Sequence, residues 1–525
     1  MTPTARLVTA LLLLSLGRPL TGSSQVTPLT VPKGALRLDF SGEFKSWDWR
    51  WRDGSREEWA ADLGRPTLDR AFLPEILASE ERLQRVTGVA AVNLSIGRSI
   101  ASSLVNLGTF GLGGAFGLTK SITLFGTVPI VAVKVEPRFL IDSTGANAAF
   151  GLDPSAQGAF FGQLAQARQQ LRTRLTAGDF DNDPTLKALA QSTVAKAELL
   201  EAELGALLLT GSATTTVVPR ANSTVAQQVV QVVRDLQAVL AQSFAITSFQ
   251  AIPAFPSSPI TTAAFGDYVT DPLGRIAALP LDDTPTFSYL GDIEVGATIA
   301  LVDRFPTSTI GSGFRAYATA MARLRTAKLD SPNRFMDVGS GDRQPDVEMS
   351  LTADWVRGRL GARVSGGYNL QLPGNQNRRI APPDQPIAPA ASLAAVRRDP
   401  GDVIMVSARP FLRIATYLSV FGGVDFWTKQ RDKFSYAADQ PALPGYDPDV
   451  LAAGSQSDAL LLSGGLSYSH SGLNKRGLLR LPMDASFRYQ RIVRSGSGIV
   501  PDANTVSIDL RFYTRLFGKA PTPKP

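Results

Sequence analysis

The sequence predicts an all-β transmembrane barrel of about twelve antiparallel strands, in a range of about ten to fourteen, with a mainly helical loop insert. Three observations predict it. Long segments alternate apolar with polar side chains, the connections between them alternate short and long, and helical periodicity is concentrated between about 140 and 290. Membrane strands need about 9–11 residues, whereas soluble strands usually have about 5–6. The segment lengths therefore favour a membrane barrel over a soluble sandwich, which would show the same alternation.

The first residues have the pattern of a targeting segment. Arg6 precedes an apolar run over 7–16, and small residues follow at 21–23. A bilayer-spanning helix needs about 20 residues, so we expect a cleaved signal peptide over 1–24 rather than an anchor. No cysteine follows it, so we expect no lipid-modified terminus. The rest of the chain, 25–525, is predicted to form the barrel in the outer membrane of a Gram-negative-type bacterium.

Composition excludes several classes of function. The 525 residues include no cysteine and one histidine, which removes thiol nucleophiles, zinc–thiolate sites, iron–sulfur clusters and multi-histidine metal sites. We therefore expect no cofactor and no metal. The net charge of +7 falls to +5 when Arg6 and Arg18 leave with the signal peptide. No basic run with interleaved aromatic residues occurs, so nucleic acid is not an expected partner.

The C-terminal segment shows the strand signal most clearly. Within 504–517, apolar residues occupy one face and polar residues the other. The apolar positions are Val506, Ile508, Leu510, Phe512 and Leu516, and the polar positions are Ser507, Asp509, Arg511 and Arg515. A lipid-facing surface on one side and a wet lumen on the other would produce this pattern.

The first strand is predicted over Leu36–Phe44. The tryptophans Trp47, Trp49 and Trp51 follow on the other parity, which predicts a β-bulge near Lys45. The eleven further strand predictions are 105–116, 121–137, 291–302, 313–328, 346–356, 358–371, 402–412, 416–430, 457–469, 483–494 and 504–517.

The connections predict which barrel end faces which compartment. Long connections are expected at 53–104, 138–290, 329–345, 372–401 and 431–456, and most of the others are short. Short periplasmic turns and long extracellular loops are typical of outer-membrane barrels. An even strand number then places both termini in the periplasm. The connection at 470–482 is long for a periplasmic turn.

Several tryptophans are expected to mark the membrane interfaces. Trp427 and Trp47–Trp51 lie near predicted outer strand ends, and Trp355 lies near an inner one. Amphipathic rings are favoured at both membrane interfaces. The alternative is that these tryptophans belong to a core.

The long loop contains three segments with helical periodicity, at 156–177, 184–207 and 223–244. Asp183-Pro184 is typical of a helix start. These helices, within an insert at 140–290, are expected to pack on one another or to plug the barrel mouth. A further helical piece is possible at 56–85.

Charged residues on or beside strands are expected to line the barrel interior, because an arginine or lysine facing lipid costs about 2–4 kcal/mol at the bilayer centre. The interior candidates are Arg511, Arg515, Asp509, Arg363 and Arg323. Their alternative role is structural salt bridging.

Two groups of residues have side chains that could carry chemistry. His470 lies beside Ser469 and Ser471, but adjacent strand side chains point to opposite faces, so we predict no catalytic residues and no enzyme. The loop 330–346 holds four aspartates that could bind calcium, although the spacing does not match an EF-hand. There, Arg334 and Arg343 are expected to neutralise the acids in a solvated extracellular turn.

Several segments together resemble a known family. The hairpin at 116–130 (FGLTKSITLFGTVPI), the strand at 291–296 (GDIEVG) and the turn at 337–342 (DVGSGD) are similar, in this order, to segments of FadL-like and MetA-pathway phenol-degradation-type outer-membrane β-barrel transporters. The resemblance covers roughly 105–137 and 290–517. It departs from the family at 24–34, where the Asn-Pro-Ala motif of the N-terminal hatch is absent.

The resemblance implies passive uptake of hydrophobic small molecules, such as fatty acids or aromatic compounds, by a monomer surrounded by outer-membrane lipid. Apolar faces of the insert then become ligand-binding candidates, namely Phe160, Phe161, Leu164, Phe244 and Phe249. The alternative is a structural or adhesive surface protein anchored by a closed barrel. A water-filled general porin is disfavoured because wide channels need about 16–18 strands.

Overall fold

The computed structural model describes residues 28–515, apart from 210–214, 285, 307–310, 382–384 and 471–481. The predicted signal peptide at 1–24 lies outside these ranges, as does Leu516 of the last predicted strand. The chain divides into two compact units. One contains the chain up to 62, 101–138 and everything from 279 onward, and the other contains 63–100 and 139–278.

Twelve antiparallel strands close into a barrel, which confirms the predicted fold class. Each strand pairs with its sequence neighbour among the twelve, and the last pairs with the first. The strands are β1 Ala35–Trp47, β2 Arg98–Gly117, β3 Ile122–Asp142, β4 Glu294–Arg304, β5 Ser312–Arg323, β6 Asp346–Arg357, β7 Leu360–Gln371, β8 Val403–Arg413, β9 Leu418–Lys429, β10 Ser457–His470, β11 Met483–Arg494 and β12 Asn504–Arg515. Each of the twelve predicted segments overlaps one of them.

Alternation along each strand separates the two faces. In β12, Ser507 and Arg511 are buried whereas Ile508 is exposed, as the sequence pattern predicts. Large apolar side chains are exposed along the other strands too, including Leu351 in β6 and Val424 in β9. Exposed apolar residues on every second position form the outer face that a barrel presents to lipid.

The predicted bulge near Lys45 is wrong. The pairing of β1 with β2 and β12 runs through Lys45 without a shift, so Trp47 shares the inward face with Lys45. Trp47 and Trp427 are buried in apolar clusters of the barrel unit, whereas Trp355 is exposed. The interface-marker prediction is therefore wrong for Trp47 and Trp427, because an apolar interior layer provides burial that alternation alone did not reveal.

One barrel end carries short turns, as expected. Gly358 has φ 62° in the two-residue connection between β6 and β7, a left-handed conformation that glycine adopts without steric cost. Between β2 and β3, the Thr119 hydroxyl accepts hydrogen bonds from the amides of Ser121 (3.1 Å) and Ile122 (2.9 Å). These local bonds set the turns without tertiary support.

The other barrel end carries long connections with their own structure. One small sheet joins Trp49–Arg52, Ser55–Glu58 and Ile499–Pro501. A second joins Gly374–Arg379, Leu393–Asp399 and Lys433–Tyr436, with 3₁₀ turns at Ala390–Ser392 and Pro448–Ala452. The second sheet has an apolar core that includes Val396, Phe434 and Leu451.

The wall between β3 and β4 is interrupted. The short strand Thr286–Leu290 pairs with β3 at Ile130–Lys134, and β4 pairs with it at Ile122–Thr127. The break between the two falls at 291–293, where the Asp292 carboxylate accepts hydrogen bonds from the amides of Thr326 and Ala327. On the β3 side the amide of Gly291 still donates to the Pro129 carbonyl at 2.9 Å, and the Asp292 side chain fixes 291–293 to the segment that follows β5.

The second unit is mainly helical. Its helices are α1 Glu75–Thr87, α2 Gly158–Thr176, α3 Pro184–Leu208, α4 Thr224–Phe244 and α5 Thr262–Thr270, with a 3₁₀ turn at Pro154–Gln157 and paired strands Ala148–Phe150 and Val217–Pro219. The three predicted helices correspond to α2, α3 and α4, and the Asp183 side chain caps α3 as its sequence indicates. Helix α5 lies outside the three predicted helical segments. No helix among the described residues is long and apolar enough to cross a membrane.

Candidate functional site: the barrel interior

The barrel unit contains two apolar clusters toward the long-loop end. One packs Trp47 and Trp59 edge to face, with ring centroids 5.8 Å apart, against Val131 and Val133 of β3. The other contains Met405 and Trp427 with neighbouring residues from β10 and β11. Because these side chains belong to the inward parity of their strands, they form an apolar layer of the interior.

A cavity of about 170 Å³ lies in the polar part of the interior. Its walls come from opposite sides of the barrel, with Thr298 and Thr319 on β4 and β5, and Ser507 and Asp509 on β12. A water needs only about 10–15 Å³ on a comparable measure, so the space exceeds a single-water void. The barrel is therefore not completely filled by its own side chains.

An acidic wall surrounds Arg323 on one side of this cavity. Its guanidinium contacts three carboxylates, those of Glu294 (3.3 Å), Asp346 (2.9 Å) and Glu348 (2.8 Å). All four side chains are buried. Three acids around one arginine leave this wall, which spans β4 to β6, with an excess of negative charge.

A second buried cluster centres on Asp354. Its carboxylate accepts hydrogen bonds from Arg315 (2.5 Å) and Arg363 (2.6 Å), and both arginines are almost fully buried. The Arg315 guanidinium also lies 3.9 Å from the ring centre of Phe305. Two arginines on one acid give this cluster, on β5 to β7, an excess of positive charge.

The wall facing Arg323 is basic. Arg409 bonds to Asp425 at 2.8 Å, and Gln490 donates to the other Asp425 oxygen at 2.9 Å. Arg488 donates to the Ser507 hydroxyl at 3.2 Å. The Arg488 side chain is 5% exposed and lines the cavity. This wall spans β8 to β12.

A smaller cavity of about 70 Å³ adjoins the first. Glu43, Thr109, Glu294 and Arg323 line both cavities. Lys45, which bonds to Glu43 at 2.8 Å, and Val131 also line the smaller one. The two spaces are therefore consecutive along the interior, and the second lies next to the apolar layer.

Residues 28–34 fold into the short-turn end of the barrel. The Val31 amide donates to the Thr123 hydroxyl at 2.8 Å, and Val31 packs in a cluster with Ala35 and Ala115. Leu29 lines the larger cavity. A Cβ at Gly117 would lie 2.5 Å from the Val31 carbonyl oxygen, so only glycine allows this approach. The segment that lacks the expected hatch motif thus still occupies the interior.

The loop 330–346 differs from its prediction as a solvated turn. Asp337, Asp342 and Asp346 are buried, and Asp330 bonds to Arg378 at 2.8 Å. Of the two arginines expected to neutralise the acids, Arg334 instead bonds to Asp283 at 2.5 Å. The partners come from distant loops, which spacing within one loop does not reveal. Among the described residues no cluster of acids or histidine has the arrangement of a metal site.

Two buried loop acids have shifted pKa values for different reasons. Burial raises the pKa of Asp337, although the amides of Ser331 and Val338 oppose the shift. Burial also acts to raise the pKa of Asp432, but Arg398 and Lys429 outweigh it and hold this pKa below its usual range. Asp432 is therefore an ionised centre that holds two cations between the loops.

The only histidine does not meet Ser469. The Ser469 hydroxyl donates to Asp484 at 2.7 Å, whereas the His470 ring packs against Tyr417 at a centroid distance of 4.3 Å. Ser471 lies outside the described residues. The two described side chains therefore lie on opposite faces of β10, as expected for adjacent strand residues.

The structure separates the predicted site residues into two groups. Arg323, Asp509 and Arg511 line the larger cavity, and Arg363 is buried in the Asp354 cluster; the side chain of Arg515 lies outside the described part. Phe160, Leu164, Phe244 and Phe249 are buried within the helical unit, and Phe161 is half-buried there. Buried aromatic pairs such as Phe160–Phe249, at 5.9 Å, hold helices together, and their ligand role stays an untested prediction.

Sequence reasoning overlooked four charged residues of the barrel interior, three of which lie on a cavity wall. Arg37, Glu294 and Arg488 line the larger cavity, and Arg409 is buried on the same side of the barrel as Arg488. The available signal was parity, because each lies on the same strand face as polar neighbours. Parity alone does not tell a paired interior arginine from an unpaired one.

A closed barrel with an apolar outer face and a charged interior defines the class of this protein, a β-barrel of the outer-membrane type. No protein-family model and no curated protein matches the chain. A similar solved structure is an outer membrane channel from Pseudomonas putida F1, 8% identical with a TM-score of 0.40, covering 93% of this chain and 100% of that chain.

Two other similar structures are more distant still. One is the CymD monoaromatic hydrocarbon channel, 8% identical with a TM-score of 0.28, covering 93% of this chain and 90% of that chain. The other is a Pseudomonas aeruginosa FadL homologue, 8% identical with a TM-score of 0.27, covering 98% of this chain and 99% of that chain.

Proposed function

We propose that this protein is an outer-membrane channel for passive uptake of hydrophobic small molecules, fatty acids or aromatic compounds being the expected classes. The observation that carries the proposal is the pair of consecutive cavities inside the barrel, next to an apolar interior layer. Protein interiors normally pack without large voids, because filling them adds stability. A barrel that served only as an anchor would therefore be expected to fill this space with side chains. The resemblance of 116–130 and 291–296 to FadL-like transporters supports the hydrophobic class of solute.

The apolar layer explains how a hydrophobic solute would enter. Val131 lines the smaller cavity, and Trp47 and Val133 pack in the same apolar cluster behind it, so an apolar molecule in that cavity leaves water for an apolar wall. The smaller cavity, which Val131 also lines, connects this layer to the charged middle. Twelve strands give a narrow lumen, which argues against a wide aqueous pore.

The test is uptake of an aromatic hydrocarbon by Gram-negative cells that express the chain, because an intact lipopolysaccharide surface blocks direct partition. The variant Ser350→Trp adds a large ring on the cavity wall, and Leu351→Trp adds the same ring on the neighbouring exposed face. We expect uptake with the native chain and with Leu351→Trp, but only background uptake with Ser350→Trp. Equal uptake by both variants at equal barrel levels would contradict a path through this cavity.

One observation favours a second function, a surface protein anchored by a plugged barrel. The interior contains the Asp354 cluster and the three acids around Arg323, which fill space and cross-link strands. The ordered loop sheets at one end would then be the recognition surface. This hypothesis would be supported if cells expressing the chain took up no solute but bound to a surface through these loops.

Planar-bilayer recordings separate both proposals from a general porin. Stable ohmic openings with large inorganic-ion currents would show a continuous aqueous path. The proposed channel predicts small or absent ion currents, since Val31 and its neighbours occupy the short-turn end.

A further inference from the structure

We infer that the basic wall around Arg488 binds the carboxylate group of a small organic acid inside the barrel. The inference deepens the proposed function by assigning a charged group to the solute. It stands on three observations: an arginine without an acidic partner, its position on a cavity wall, and the opposite charge balance of the facing wall.

Arg488 differs from the other arginines of the barrel middle. Arg323, Arg363 and Arg409 each contact a carboxylate within 3.3 Å. No carboxylate oxygen lies within 4.0 Å of the Arg488 guanidinium among the described residues, and its one protein hydrogen bond goes to the neutral Ser507 hydroxyl. Its Nε and Nη1 atoms are buried without a hydrogen-bond partner in the described part of the chain.

An unneutralised arginine in this position is costly. Arginine stays protonated in proteins, so it cannot escape burial by losing its charge. A buried charge normally has a partner of opposite sign, because its desolvation otherwise costs several kcal/mol. An anion entering the cavity would supply that partner at Arg488.

The neighbouring residues leave this wall positive. Arg511 lines the same cavity, and its Nη1 atom also has no partner among the described residues. Asp509 lies near both arginines and accepts a hydrogen bond from Ser486 at 3.0 Å. Two guanidiniums and one carboxylate give a net positive charge.

Two further acids line the cavity, and each has a cation of its own. Asp39 bonds to Arg37 at 2.7 Å and lies 3.7 Å from the Arg511 Nε. Glu43 bonds to Lys45 at 2.8 Å and accepts from the Ser507 hydroxyl at 3.5 Å. Adding these two pairs leaves the net charge of the wall positive.

The opposite wall of the cavity determines the side on which an anion binds. In the closed barrel, β5 and β11 are the fifth and eleventh of twelve strands, so Arg323 and Arg488 line the cavity from opposite sides. The three acids around Arg323 repel an anion, whereas the Arg488 wall attracts it. A carboxylate is therefore expected at Arg488, with the rest of the molecule extending through the cavity.

The planar fork of a guanidinium matches a carboxylate, which can accept two parallel hydrogen bonds. The Ser507 hydroxyl and the threonines Thr298 and Thr319 provide polar contacts but no second cation. A cavity of about 170 Å³ has room for a small organic acid beside Arg488. These features fit a short aliphatic or monocyclic aromatic carboxylic acid.

The experiment measures binding of benzoate to the full chain in detergent micelles by saturation-transfer NMR, which does not require transport. Arg488→Gln removes the charge, Arg488→Lys keeps it without the fork, and Arg431→Gln removes a charge from an exposed ion pair elsewhere. We expect a Kd about tenfold higher or more for Arg488→Gln, since a charge-assisted bond is lost. Arg431→Gln should bind like the native chain, and Arg488→Lys should fall between them.

Each outcome decides the inference. Benzoate that does not bind, or that binds Arg488→Gln as well as the native chain, would overturn it. If chloride competes as well as acetate at equal ionic strength, the site takes any anion and the carboxylate assignment fails. Binding that depends on Arg488 in a chain showing no cell uptake would contradict the channel proposal and leave this site intact. Folding of each variant is checked by its β-sheet circular dichroism.

Discussion

The amide of Val31 and the hydroxyl of Thr123 join across 92 residues of sequence by a hydrogen bond of 2.8 Å inside the barrel. This bond ties the segment ahead of β1 to the inner face of β3. It makes a short N-terminal stretch without regular structure into a part of the interior.

Gly117 should control that arrangement. The Val31 carbonyl would lie 2.5 Å from a Cβ at Gly117, so Gly117→Val should displace 28–34 from the interior. Since the chain has no cysteine, Val31→Cys can report this through labelling by a soluble maleimide. We expect slow labelling of the Val31→Cys variant when residue 117 is the native glycine, and faster labelling when Val31→Cys is combined with Gly117→Val.

The matched control is Gly114→Val on the same strand, where the nearest atom would lie at an ordinary 3.8 Å. Val31→Cys combined with Gly114→Val should be labelled at the same rate as Val31→Cys alone. Equal rates in all three proteins would show that 28–34 does not depend on Gly117.

Loss of the Asp354 carboxylate should destabilise the barrel strongly. Asp354→Asn leaves Arg315 and Arg363 buried without their shared acid, and breaking a buried pair costs about 3–5 kcal/mol. The measurement is the free energy of unfolding in urea, in lipid vesicles. Asp449→Asn, which removes an acid from an exposed pair with Arg431, should change it by less than about 1 kcal/mol. Similar values for both variants would contradict the structural role of the cluster.

On the lipid-facing surface, the cost of introducing a charge should depend on its depth in the bilayer. Leu351, in the middle of β6, and Leu360, at the start of β7, are 62% and 61% exposed. Leu351→Arg should cost about 2–4 kcal/mol, and Leu360→Arg about 0–1 kcal/mol, because the cost falls toward the interface. Urea unfolding in vesicles measures both. Equal costs for the two substitutions would argue that the bilayer is not centred on the middle of β6.

Asp432 predicts an acid-sensitive contribution of the loops. Its pKa is held below the usual range by Arg398 and Lys429, which outweigh burial, so the stabilisation is complete above the unfolded pKa of about 3.9. It is lost as pH falls through the folded pKa. The difference in unfolding free energy between the native chain and Asp432→Asn should be largest near neutral pH and shrink below about pH 3.9. A difference that stays constant with pH would refute this assignment.

The alternation of side chains was sufficient to predict the strands. In β12, Ile508 and Arg511 fall on opposite faces whatever their neighbours are, because strand geometry has a period of two. The same rule did not predict the burial of Trp47. Alternation tells which side chains point into the barrel, but it does not tell whether the interior is polar or apolar at a given level along the barrel axis. The loop acids show the same limit, because Asp330 meets Arg378 from another loop.

The sequence by itself determined the twelve strands, the helices α2 to α4 and the short turns, because each depends on residues adjacent in the chain. Tertiary structure decided which interior charges are neutralised. Arg323 and Arg488 both lie on the polar face of a predicted strand, yet within the described part of the chain the first contacts three acids and the second contacts none. Pairing across the barrel depends on strand order and register, which bring together side chains that lie far apart along the chain.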